Sequence, residues 1–182
     1  FPQWNCNCSN SLEARKNPQR AKPRTQSSIA VSSDGKRWFL FNASPDLRQQ
    51  INDNIALQPK DGIRHSPIHG VFLTNGDVDH IAGLLNLRES YPLTIYGTSK
   101  VLKILKDNSV FNVLNPKFVD RREVKLNKTI LLEDKNNKSL DIEVEVFTVP
   151  GKIALYLEDE TKGNNFGTEE EDTIGLKITD KK

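Results

Sequence analysis

A chain of 182 residues, 36% of them hydrophobic, is long enough for one domain with a sizeable core and too short for two of ordinary size. Its 26 Lys and Arg against 24 Asp and Glu leave a net charge of +2, mixed along the sequence, which argues against the concentrated basic face of a nucleic-acid binder. No apolar run nears the roughly 20 residues of a membrane-spanning helix, and no charged segment followed by an apolar one marks a secretory signal; the expectation is a single soluble, cytoplasmic domain over residues 1–182.

Residues 1–23, rich in Asn, Pro and basic side chains without periodicity, read as a loop tied down by something other than a core. Cys6 and Cys8, the two cysteines of the chain, are the candidates; one intervening residue is poor geometry for a mutual disulfide and suits metal binding or free thiols. A strand over 26–31, the hairpin signal Asp34-Gly35 and a return strand over 36–42 carrying Trp38, Phe39, Leu40 and Phe41 follow. Ser44-Pro45-Asp46 supplies an N-cap, a proline at the first helical position and an acid in the first turn of a short helix reaching about Ile51. Residues 52–67 read as a loop.

Ile68, Val71, Phe72 and Leu73 form a strand buried on both faces, and Ile81, Leu84 and Leu85 fall at helical spacing after it. Leu93 to Tyr96 is another short strand, and Thr98 or Ser99 caps a helix whose Val101, Leu102 and Leu105 share a face. Beyond Val119 the pattern changes to strands over 125–132 and 140–146, the latter alternating strictly between Leu140, Ile142, Val144, Val146 and the acids Asp141, Glu143, Glu145. A turn over 135–138 separates them. Strands over 153–157 and 173–178 flank a polar loop at 163–172. Strands, then two βα units, then strands again suit a layered α/β or α+β domain with a mixed sheet. The start at Phe1, the absence of Met and the strand-like end at 177–182 give the expectation of a piece of a longer protein, with an open sheet edge where a first strand belongs.

The chemistry is expected on the turn between the buried strand and its helix, because ligands of open α/β sheets bind outside the carboxyl ends of strands. There Asn75, Asp77, Asp79 and His80 stand together. Two carboxylates and an imidazole suit iron, zinc or manganese, and a His-plus-carboxylate set leaves open positions for non-haem iron chemistry. The same residues also fit simpler roles, with Asp79 as a helix cap, Asp77 solvating the turn and His80 bonding locally, or His80 as an acid or base without metal. Cys6 and Cys8 supply two of the four donors of a closed zinc site, with no third Cys or His nearby. His65 and His69 flank Pro67 at the start of a strand, where no helical two-His face can form, and read as structural or surface residues.

The opening FPQWNCNC, the segment Arg24 to Ser28, Asn42-Ala43-Ser44-Pro45-Asp46, the run LTNGDVDH ending at His80, and Val149-Pro150-Gly151-Lys152 together resemble the coenzyme PQQ synthesis protein B family, in order and across essentially the whole chain. The resemblance implies a branch of the metallo-β-lactamase fold, a four-layer αββα sandwich, here incomplete, without its first strand and much of its second half. A superfamily His-x-His-x-Asp-His loop laid on this chain puts the two leading histidines at Asn75 and Asp77 and keeps Asp79 and His80. A dizinc hydrolase is not expected. The later Pro-Gly-His falls on Pro150-Gly151-Lys152, and the third cysteine of a structural zinc site falls on Ser11, which weakens zinc at Cys6 and Cys8.

The activity implied is a step in pyrroloquinoline quinone (PQQ) biosynthesis: iron-dependent hydroxylation of the tyrosine-derived part of a Glu-Tyr precursor. Fe(II) would be held by Asp77, Asp79 and His80 with a further ligand beyond Lys182, Asp79 and His80 would be catalytic, and Asn75 and Lys152 would contact substrate. The alternative is a non-catalytic carrier that helps move PQQ or its precursor to the periplasm. Expected partners are the small-molecule or dipeptide precursor and other proteins of the pathway, with a homodimer compatible with the resemblance and with neither nucleic acid nor membrane insertion.

Overall fold

The computed structural model describes residues 1–181. A five-stranded sheet has the order β1 (Ile29–Val31), β2 (Trp38–Phe41), β3 (Ile68–Phe72), β4 (Leu93–Gly97) and β5 (Val119–Glu123); β1 is antiparallel to β2 and the rest run parallel. Three further strands, β6 (Lys128–Glu133), β7 (Ser139–Thr148) and β8 (Ile174–Asp180), make a second, antiparallel sheet. The helices are α1 (Ser9–Lys16), α2 (Leu47–Asp53), α3 (Val78–Ile81) and α4 (Ser99–Asp107), joined by short 3₁₀ turns.

Two cores divide the first sheet. On one face Leu40, Val71, Leu73 and Ile95 pack against Leu47, Leu84, Val101 and Leu105 of the helical layer. On the other, Phe39, Phe41, Phe72 and Tyr96 meet Leu132, Leu140, Ile142, Val144 and Val146 of the second sheet. The rings stack across the strands, with centroids 5.9 Å apart for Phe41 and Phe72 and 5.7 Å for Phe72 and Tyr96. Gly70 leaves room for the neighbouring Phe39 ring, since a Cβ there would lie 2.1 Å from it. Because both of its faces are covered, β3 buries consecutive residues, Gly70, Val71 and Phe72, whereas β7 alternates: its outer face carries Glu143 and Glu145, paired with Lys181 and Lys177. Helices, sheet and sheet are three layers of the expected αββα order, and the mixed α/β architecture stands. No helix among the described residues is long and apolar enough to cross a membrane.

Several local expectations need correction. The first 23 residues contain α1, and the segment before it is held by the Arg15 guanidinium, which donates to the carbonyls of Gln3 and Cys6 at 2.6 Å each. Ser44 does not cap α2; its hydroxyl donates to Gln50, Asp46 takes the cap position, and the Asp46 carboxylate accepts the Gln26 N–H at 2.8 Å instead. The helix after β3 keeps α geometry only over Val78–Ile81 and continues as a 3₁₀ turn over Ala82–Leu87. There the Gly83 backbone is pressed against Ala43 and Ser44, where a Cβ would lie 2.2 Å from the Ser44 carbonyl oxygen. β5 is a strand missed by patterning, because as an edge strand it buries only Val119 of its five residues. The strand expected at 153–157 is absent: those residues form a loop with a 3₁₀ turn at Leu155–Leu157.

Candidate functional site

The carboxyl ends of β2 and β3 release two turns that are knitted together. Asn42 leaves β2 in the left-handed region, φ 64°, and its side-chain oxygen accepts the Thr74 N–H at 2.9 Å while its amide donates to the Thr74 hydroxyl at 3.0 Å. The Ala43 N–H donates to the His80 carbonyl at 2.7 Å, and the Gly83 N–H to the Ala43 carbonyl at 2.8 Å. Asn75 is buried, accepts the Asp77 N–H on its side chain at 3.0 Å and bridges to Thr173, the residue just before β8, so both sheets meet at this turn. Asn and Asp are suited to such a place because their short side chains bond to backbone two residues on.

Above the turn lies an open cleft of about 930 Å³, lined by Asp77, Val78 and Asp79 on the floor, Pro45 from the neighbouring turn, Gln3, Gln26 and Ser27 on one side, and Leu155 and Tyr156 on the other. Asp79 and His80 act as a pair, with the imidazole Nδ1 2.7 Å from an Asp79 carboxylate oxygen. A neutral imidazole that donates Nδ1–H to this acceptor keeps its lone pair at Nε2. The Asp77 carboxylate is turned to Leu155, accepting its N–H at 3.0 Å, and the Tyr156 hydroxyl donates to the Gly76 carbonyl at 2.9 Å. Burial and the nearby Asp77 charge both raise the Tyr156 phenol above its ordinary value.

The expected donors therefore divide. Asp79 and His80 offer one carboxylate and one imidazole, Asp77 is engaged elsewhere, and among the described residues no group of three or more His, Cys, Asp or Glu side chains gathers to hold a metal ion. A non-haem iron centre asks for three protein donors on one face, so the residues described do not by themselves fit one. Asn75 and Lys152, expected to contact substrate, do not line the cleft. The Lys152 ammonium sits 3.7 Å from Glu158 and 4.6 Å over the Phe166 ring. Cys6 and Cys8 are both free thiols. The Ser11 hydroxyl and amide, with the Cys6 thiol, hold Cys8 down to about 7. No third thiol or imidazole joins them. His65 and His69 lie away from the cleft; burial lowers His69 while the Asp134 carboxylate, 3.9 Å away, opposes it.

Sequence reasoning found the floor and missed the wall. The apolar run at 153–157 predicts a strand, yet Leu155 is 75% and Tyr156 46% exposed, and both line the cleft.

Comparison with known proteins supports the resemblance seen in the motifs. The chain is 50% identical over 177 residues to coenzyme PQQ synthesis protein B of Methylorubrum extorquens (strain PA1), covering 97% of this chain and 56% of that protein. It is 48% identical over 178 residues to the protein of the same description from Rhizobium meliloti (strain 1021), covering 98% of this chain and 56% of the relative. The chain thus spans little more than half the length of the relatives it matches. Among solved structures, the crystal structure of Zn(2+)-bound PqqB from Methylobacterium extorquens superposes with a TM-score of 0.88 at 50% identity, over 98% of this chain and 57% of that one. A diphosphatase from the PhnP family shares the fold at a TM-score of 0.63 and 22% identity, over 98% of this chain and 56% of that one. The family described as "Beta-lactamase superfamily domain" matches residues 37–182, most of the sequence, and the chain belongs to that family.

Proposed function

We propose that the chain serves in the biosynthesis of pyrroloquinoline quinone, and that the cleft above residues 75–80 receives the Glu-Tyr-derived precursor. The observation that carries this reading is the 50% identity to coenzyme PQQ synthesis protein B across 97% of the chain. The cleft has the chemistry for such a ligand. Asp77 and Asp79 place negative charge where an amino group would sit, and Gln3, Gln26 and Ser27 offer amide and hydroxyl groups to carbonyl or carboxylate oxygens.

The reaction we assign to the pathway step is hydroxylation of the tyrosine-derived ring, in which one atom of O2 enters the ring and the other leaves as water with two electrons from an external reductant such as excess ferrous iron; a bound iron would supply the activation of oxygen. Asp79 and His80 are the residues of this chain suited to hold that metal, with Nε2 of His80 left available by the contact of Nδ1 with Asp79. Two donors do not complete such a centre, so the role assigned to the described residues is to bind and orient the precursor and to fix the His80 tautomer.

The test is to incubate the protein with ferrous iron, labelled oxygen and a Glu-Tyr peptide, and to follow the ring by mass spectrometry. Incorporation of label that is lost in Asp79→Ala and His80→Ala supports the reading. Tight binding of PQQ with no incorporation in any condition overturns it in favour of a carrier that moves PQQ or its precursor.

A further inference from the structure

Asp77 has the extended backbone of a helix N-cap, φ −66° and ψ 150°, yet its side chain makes no capping bond to α3. A carboxylate in that position ordinarily accepts an N–H from the first turn of its own helix. Here it reaches 78 residues along the chain to the N–H of Leu155, the first residue of the 3₁₀ turn Leu155–Leu157. The opening N–H of such a turn has no partner within it, so an outside acceptor is what it lacks. Ala154, the residue that precedes the turn, has no side chain able to serve. The Tyr156 hydroxyl adds a second tie to the Gly76 carbonyl.

The effect is to hold apolar surface open rather than to bury it. Leu155 and Tyr156 stand along one side of the cleft, while the floor adds the apolar Val78, itself 58% exposed, and the charges of Asp77 and Asp79. No cationic side chain lines the cleft among the described residues. An apolar wall next to two carboxylates is complementary to a ligand that carries an aromatic ring and an amino group on one short frame.

We propose that Asp77 is a positioning residue that caps the 3₁₀ turn at Leu155 and thereby sets Leu155 and Tyr156 as the wall against which the ring of an aromatic amine packs. This rests on reading the cleft as the precursor site and names what recognises the tyrosine-derived end. It also gives Asp77 a task other than the metal ligation expected of it.

The experiment uses tyrosinamide and alaninamide as probes, titrated calorimetrically into the protein, together with hydrogen exchange of the Leu155 amide. Tyrosinamide is expected to bind at least about tenfold more tightly than alaninamide, a ratio set by ring burial against the wall. Asp77→Ala speeds exchange at Leu155 by about tenfold or more and erases most of that ratio. Asp77→Asn keeps an acceptor for the Leu155 N–H, so it keeps exchange slow and the ratio intact while weakening both amines through loss of charge. Tyr156→Ala, a change at a half-exposed side chain, lowers the ratio with the fold unaltered. Equal binding of the two amides, or Leu155 exchange unmoved by Asp77→Ala, overturns the proposal. Preferential tyrosinamide binding with no ring hydroxylation would leave this inference standing and remove the hydroxylation reading alone.

Discussion

Residues 74–80, the floor of the cleft, hang from a strand whose Val71, Phe72 and Leu73 are wholly buried, and five or more hydrogen bonds tie them to the turn after β2 and to β8; residues 153–157, its wall, keep their apolar side chains in solvent and rest on the floor through Asp77 and Tyr156. The floor inherits the stability of the whole domain, because moving it means breaking the core. The wall can open with the loss of a few polar bonds, which places it among the segments of low local stability that binding sites draw on. A rigid polar floor and a detachable apolar wall suit a site that must orient one end of a ligand and admit the other.

Mutations can break this contrast, and the largest effect is expected in the core beneath the floor. Leu84 is fully buried against β3, and Leu84→Ala is expected to cost about 3–4 kcal/mol of global stability in urea denaturation. A loss confined to the cleft, with the denaturation midpoint unchanged, would show that the floor is not coupled to the core. Gly83→Ala comes next. Its Cβ would meet backbone of Ala43 and Ser44, which cannot rotate aside, so about 2–3 kcal/mol is expected in the same measurement.

Smaller effects sharpen the comparison. Asn42→Ala removes the acceptor for Thr74 N–H and leaves a Cβ residue at φ 64°, for about 2 kcal/mol; Asn42→Gly keeps the backbone freedom and is expected to recover part of it. Equal costs for the two would assign the whole effect to the hydrogen bonds. Smallest in global terms is Tyr156→Phe, which loses one half-exposed bond to Gly76 at about 0.5 kcal/mol or less. Its expected trace is local: faster amide exchange over 153–157 with the denaturation midpoint in place. A shift of that midpoint by as much as Asn42→Ala would mean the wall is part of the cooperative unit.

The elements that could be read from the sequence were those whose burial is one-sided or complete. Buried β3, the strict alternation of β7, the Asp34-Gly35 turn and the helix capped by Thr98 each carry a local pattern that the fold leaves intact. Polar edge strand β5, with one buried residue, carries almost none, and the helix Ser9–Lys16 hides in a segment whose Asn and Pro content masks a short run of helix formers. At the site, the order Asn75 to His80 marked the turn because carboxylates and an imidazole stand there at the carboxyl end of a buried strand, where open α/β sheets bind their ligands.

What the sequence determined by itself was therefore an acidic, imidazole-bearing turn at the carboxyl end of a core strand, in a chain whose motifs carry the likeness to coenzyme PQQ synthesis protein B. What only the tertiary structure decided was the use of those side chains. Which neighbour a carboxylate meets depends on contacts 78 residues away along the chain, and spacing along the sequence carries no information about them. Asp77 and Asp79 look equivalent in the sequence, two residues apart, and both line the cleft; folding gives one to Leu155 and the other to His80, because the loop that follows β7 returns within reach of the first alone.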